Sequence, residues 1–234
     1  GFGTAGKRYF EILKKKKKID ILVLRKNKKN IIYKKKNIRI NKEDLKNISL
    51  NKIDLVIIAS PVKSHWYYLK IFLKLNLDII IEKPVIWNSY QFTKLKSLIK
   101  NFEHNFYINH SDLYNQNLHK LIKEKKYQNI KNITFKYGSN KNSYKVSDNN
   151  SPTLDWLPHI LALIIFFTKK INNFKILYFS RLIKKELVFE KTLFQFTYKK
   201  ILSEVYFSNF PKKNSRSFKL YFDNGYINFD SYYN

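Results

Sequence analysis

The chain has 234 residues, 44% of them hydrophobic, enough for one large or two small packed domains; global disorder is excluded. It contains no cysteine, which removes disulfides, cysteine-ligated zinc and thiol nucleophiles together and agrees with a reducing, cytoplasmic setting. The net charge is +29, from 46 Lys+Arg against 17 Asp+Glu. Those lysines run through the whole chain and arginine is scarce, so the surplus reads as a Lys-, Asn- and Ile-rich composition rather than a concentrated polyanion site.

In chain order, glycines at 1, 3 and 6 precede Tyr9, Phe10, Ile12 and Leu13 at helical spacing, and Lys14–Lys18 reads as the solvated end of that helix. Buried strands are expected at Ile19–Leu24 and Ile53–Ser60, with a short one at Asn37–Ile40 and a helical turn capped by Asn41 and running through Leu45. A helix from about Ser64 to Leu75 leads to the strand Ile79–Ile81, then a helix capped by Ser89 and a strand at Asn105–His110. Strands alternating with helices imply βαβ units and a parallel sheet.

The second half changes character. A helix near Leu118–Lys126 precedes the strand Ile130–Tyr137, the polar stretch Ser139–Ser151 and an apolar helix from about Asp155 to Phe167. Strands follow at about Phe174–Ile183, Leu187–Tyr198, Ile201–Phe207 and Phe218–Phe222, and Asp223-Asn224-Gly225 predicts a type I′ hairpin turn. The fold class is therefore α/β. A Rossmann-type parallel sheet over residues 1–112 is followed by an α+β domain, residues 113–234, with a largely antiparallel open sheet. No apolar run approaches the ~20 residues of a membrane span. The chain starts inside a motif and has no methionine, so it is expected to be a piece lacking its first strand.

Gly1-x-Gly3-x-x-Gly6 before a helix matches the dinucleotide fingerprint, in which the backbone approaches a pyrophosphate at the helix N-terminus. Gly1, Gly3, Thr4, Ala5 and Gly6 are the candidate cofactor loop. An NAD site usually carries an acid at the end of the next strand. Here the strand ends in Leu24-Arg25-Lys26-Asn27, and Arg25 suits a 2′-phosphate, which favours NADP over NAD. Arg25 and Lys26 also fit the plainer reading of surface charges.

The segments Ala59-Ser60-Pro61-Val62-Lys63-Ser64-His65 and Ile81-Glu82-Lys83-Pro84 lie at carboxyl ends of parallel strands, where open α/β sheets bind ligands. With the glycine turn before them, they resemble the glucose–fructose oxidoreductase / inositol dehydrogenase / MocA family. The resemblance runs from Gly1 to about residue 170, and more loosely to the final hairpin. It implies a nicotinamide enzyme acting on a sugar, sugar derivative or cyclic polyol. Ser60, Pro61, His65, Glu82 and Lys83 would lie beside the cofactor, with Lys83 holding the reacting hydroxyl.

Relatives carry Asp-x-x-x-His in the second domain, which here implies that Asp155 and His159 bind substrate and that His159 relays the proton. Leu157 stands where the family often has glycine. On residues alone, Lys83 also reads as half of a surface Glu–Lys pair, Asp155 as a helix cap and His159 as a packed histidine. The histidines show no metal-ligand spacing. The expected partners are a small sugar-like substrate and a second copy through the sheet of the second domain, with neither membrane nor nucleic acid. A basic, non-catalytic binding protein for nucleic acid or an anionic polymer is the alternative, as is an inactive truncated family member.

Overall fold

A computed structural model describes residues 1–25, 38–42, 53–123, 129–139, 144–146, 151–210 and 214–230. The side chain of Arg25, the turn expected after Asn41, the end of the helix expected to reach Lys126 and most of the stretch 139–151 lie outside the described residues. The chain divides into two compact units, Gly1–Asn109 and His110–Asn234.

In the first unit, α1 (Thr4–Leu13) turns Phe10 inward, where it meets Val23 of β1 (Ile21–Arg25) and stacks edge-on with Phe2. Strand β1 pairs in parallel with β2 (Ile38–Lys42). Asn41 is thus a strand residue rather than the expected helix cap. A second parallel sheet has the order β3 (Leu55–Ile58), β4 (Asp78–Glu82), β5 (Phe106–Asn109). β4 is central, so its β-branched Ile79 and Ile81 are fully buried. They pack with Ile58, with Leu69, Phe72 and Leu73 of α2 (His65–Lys74), and with Leu95 of α3 (Ser89–Ile99). The cap of α3 is Asn88, whose Oδ1 accepts the Gln91 amide at 2.9 Å; Ser89, the expected cap, is the first helical residue.

The second unit is a six-stranded sheet flanked by helices. After α4 (Gln116–Lys123) come β6 (Asn132–Gly138), α5 (Pro152–Thr168), β7 (Asn173–Lys184), β8 (Leu187–Tyr198), β9 (Ile201–Ser208), β10 (Ser215–Phe222) and β11 (Gly225–Asp230). Their spatial order is β11-β10-β6-β9-β8-β7, antiparallel throughout except for β6 beside β9. Ile160, Leu163 and Ile164 of α5 close the core over Phe135, Val205 and Phe207.

Two turns differ from the sequence reading. Asp223 and Asn224 are not among the residues with positive φ, while Gly225 has φ +137°, so the last hairpin is not type I′. The type I′ geometry falls instead on Lys185-Glu186, at φ 48° and 62°, joining β7 to β8. Nothing in that dipeptide announces the turn; the long pairing of the two strands imposes it.

Helix α5 also starts earlier than expected. Ser151 caps it, accepting the Leu154 amide at 3.2 Å, and Pro152 opens the first turn. Asp155 therefore belongs to the first turn, and Pro158 and His159 are interior rather than at the start. Pro158 has no N–H to give to the carbonyl of Leu154, one turn back.

Candidate active site

The first unit brings its fingerprint and its strand ends together. Gly1 lies so close to the backbone of Ala59 and Ser60, just beyond β3, that a Cβ would collide with both residues. A Cβ on Gly6 would collide with the carbonyl of Gly1. These two glycines serve close backbone packing. Gly3 differs: a Cβ there would meet nothing within 4 Å. It stands at the N-cap of α1, where no side chain caps the first-turn amides, and Thr4 beside it is exposed. Open space in front of uncapped amides with a favourable dipole suits a pyrophosphate, so the residues present fit a dinucleotide.

His65 joins the two strand ends. Its ring is 1% exposed, with Nε2 2.8 Å from the carbonyl oxygen of Ser60 and Nδ1 2.9 Å from that of Pro84. Both partners only accept; a neutral ring can donate to one of them, and a ring protonated on both nitrogens satisfies both. Pro61 leads into the 3₁₀ turn Val62–Ser64 that sets His65 at the head of α2. Glu82 ends β4 and accepts from Nδ2 of Asn109, at the end of β5, over 2.8 Å. Lys83 follows, half-buried, and its peptide bond to Pro84 is cis.

In the second unit, Asp155 and His159 share a face of α5, four residues apart. Asp155 Oδ2 accepts the hydroxyl of Tyr144 at 2.8 Å. Burial, the Asp155 charge and this hydrogen bond together raise the Tyr144 pKa far above its usual value. Nδ1 of His159 lies 3.2 Å from Oδ2 of Asp112, in the 3₁₀ turn Ser111–Tyr114, and Oδ1 of Asp112 is paired with Arg216 of β10. Burial pushes the Asp112 carboxyl upward, but the nearby His159 ring and the Arg216 charge outweigh it and hold the group below its ordinary value. Burial likewise opposes the Arg216 charge, and Tyr137 and Asp112 overcome it.

Asp112 and Arg216 border a cavity of about 380 Å³, lined also by Asn115, Asn117, Asn228 and Tyr137. At the head of α5, the carboxylate of Glu190, 1% exposed, accepts from the Ser151 hydroxyl at 2.7 Å and the Thr153 amide at 3.0 Å. Glu190 thus ties down the start of the helix that carries Asp155 and His159.

Asp112, Tyr144, Glu190 and Arg216 were invisible in the sequence, because their partners lie far along the chain. The one available signal was scarcity: acids and arginines are few in this lysine-rich chain. Among the described residues no group of three His, Cys, Asp or Glu is placed to hold a metal, and no helix is long and apolar enough to cross a membrane.

A glycine turn at a helix N-terminus beside parallel strands defines a dinucleotide-binding domain. Residues 1–112 match the model of the GFO_IDH_MocA family, described as "Oxidoreductase family, NAD-binding Rossmann fold". That match spans just under half the length of the chain. No curated protein matches by sequence.

Among solved structures, the fold is similar to biliverdin reductase from Synechocystis sp. PCC 6803, in complex with biliverdin and NADP+. The identity is 15%, the match covers 99% of this chain and 78% of that one, and the TM-score is 0.76. It is also similar to myo-inositol 2-dehydrogenase from Lactobacillus plantarum, at 14% identity, 98% and 74% coverage and a TM-score of 0.71. UDP-N-acetylglucosamine 3-dehydrogenase GnnA from Acidithiobacillus ferrooxidans matches at 12% identity over 77% of this chain, with a TM-score of 0.64; the match spans 59% of that enzyme's chain.

Proposed function

We propose that the protein is an NAD(P)-dependent oxidoreductase interconverting a hydroxyl and a carbonyl on a sugar, sugar derivative or cyclic polyol. The observation that carries this reading is the His65 tie from Ser60 to Pro84, next to Lys83 at the end of β4 and against the Ala59–Ser60 backbone that Gly1 approaches closely. The amide-rich cavity beside Asp112 and the sugar-related substrates in the names of two structural neighbours support the substrate class.

Gly1, Gly3, Thr4, Ala5 and Gly6 hold the pyrophosphate, and Ser60, Pro61, His65 and Glu82 shape the strand ends beside it. When bound, the nicotinamide supplies the redox chemistry. Lys83 donates to the substrate oxygen and fixes its position. His159 takes or returns the hydroxyl proton, and Asp155 accepts a hydrogen bond from a neighbouring substrate hydroxyl.

Arg25 ends β1 and pairs with the 2′-phosphate of NADP, the preferred cofactor. Thermal shifts with NADPH and NADH test this part directly, because only a ligand bound to the folded state raises the midpoint. NADPH is expected to stabilise at least as strongly as NADH, with the difference lost in Arg25→Ala; no shift with either cofactor overturns the reading.

The exposed apolar side chains from Phe174 to Ile183 on edge strand β7 suit pairing with a second copy through this sheet. Lysines spread along the chain leave no reason to invoke nucleic acid. The cysteine-free composition accords with the cytoplasm, the compartment we propose.

A further inference from the structure

Arg216, Asp112 and His159 form a partly buried chain of contacts in the second unit, their side chains 23%, 18% and 14% exposed. Arg216 is itself pinned. Its guanidinium carbon lies 5.3 Å from the Tyr137 ring and 5.6 Å from the Trp156 ring. Trp156 stands on α5 beside His159, their ring centroids 6.1 Å apart. One oxygen of Asp112 is thus held by a cation with little freedom to move. The other faces Nδ1 of His159 at 3.2 Å, as an ion-pair contact not yet aligned as a hydrogen bond. Such contacts often tighten once substrate binds.

A carboxylate held against Arg216 offers acceptors only. The ring nitrogen it faces must therefore carry the proton, and the other ring nitrogen then presents its lone pair. We propose that Asp112, clamped by Arg216, is the positioning residue of His159: it fixes the tautomer protonated on Nδ1 and leaves Nε2 to take the substrate proton. This rests on the catalytic reading of His159 given above. Asp112 acts on the reaction through the ring. The balance is simple: the proton leaving the substrate hydroxyl moves to Nε2, the ring becomes cationic, and Asp112 faces that charge without itself being protonated.

The test has a part independent of turnover. Long-range nitrogen–proton NMR of the full chain, labelled at histidine and assigned with His159→Gln, reads the tautomer above pH 7.5, where a free imidazole is about 90% neutral or more. The expected result is Nδ1 protonated and Nε2 bare. In Asp112→Asn the carboxamide oxygen stays with Arg216 and its NH₂ turns to the ring, so the tautomer is expected to reverse. A wild-type ring protonated on Nε2 overturns the proposal, whether or not the variant folds.

The kinetic part uses NADP+ and whichever sugar or cyclic polyol supports turnover. Asp112→Asn should lower kcat ~10-fold or more with KM nearly unchanged, and should cost nothing further in a His159→Ala background. An equal loss in that background would mean a merely structural role and overturns the proposal. If the tautomer is as stated but His159→Ala leaves turnover intact, the catalytic reading has failed while Asp112 still orients the ring.

Discussion

Tyr144 donates its hydroxyl proton to Oδ2 of Asp155 over 2.8 Å, tying the short segment before α5 to the first turn of that helix. The raised pKa of Tyr144 means that the folded state favours its protonated form. The linked stability is fully present below the ordinary value of 10.0 and is lost as pH rises toward the higher folded value. Tyr144→Phe should cost about 1–3 kcal/mol at neutral pH in denaturant melts. Its stability deficit against wild type should shrink above pH 10; a deficit that is constant across that range contradicts the assignment.

Asp112 has the opposite sign. Its folded pKa is depressed, so the linked stability is present above the ordinary carboxylate value of 3.8 and drains away as pH falls below it. Asp112→Asn should lower stability at pH 7 and lose less than wild type on acidification from pH 5 to pH 2. Urea midpoints measured across that interval would reveal parallel curves if the Arg216 pairing contributes nothing.

His65→Ala should destabilise the first unit by about 2–4 kcal/mol, since it removes the ring that bridges two carbonyls and empties a fully buried site. Hydrogen exchange should quicken at the ends of β3 and β4 before the rest of the unit. Uniform exchange with an unchanged melting midpoint would show that the ring is not the link between them.

The glycines should separate by role. Gly6→Ala forces a clash with Gly1 and is expected to destabilise the fold. Gly3→Ala meets open space at a backbone conformation any residue adopts, so the melting midpoint should hold while NADPH affinity falls by ~10-fold, or about 1.4 kcal/mol. Calorimetric titration decides; undiminished affinity would place the pyrophosphate elsewhere.

Lys83→Ala and His159→Ala should each reduce turnover by ~10²-fold or more with cofactor affinity nearly intact. A variant that loses cofactor binding in proportion to turnover would assign its residue to the cofactor instead.

The sequence by itself determined the elements and the fold class. A run of β-branched residues such as Ile79-Ile80-Ile81 favours a buried strand, and glycines at 1, 3 and 6 before a helical period mark a tight turn into a helix; both depend on near neighbours in the chain. Tertiary structure decided what depends on distant partners. The cap of α3 went to Asn88 rather than Ser89, and the type I′ turn to Lys185-Glu186, because pairing geometry outweighs the preference of one or two residues. The start of α5 moved to Pro152 because Ser151 and Glu190, thirty-nine residues apart, meet there. The pairing of Asp112 with His159 and Arg216 arises the same way: three side chains from a 3₁₀ turn, a helix and a strand converge through packing, and no local spacing in the sequence records it.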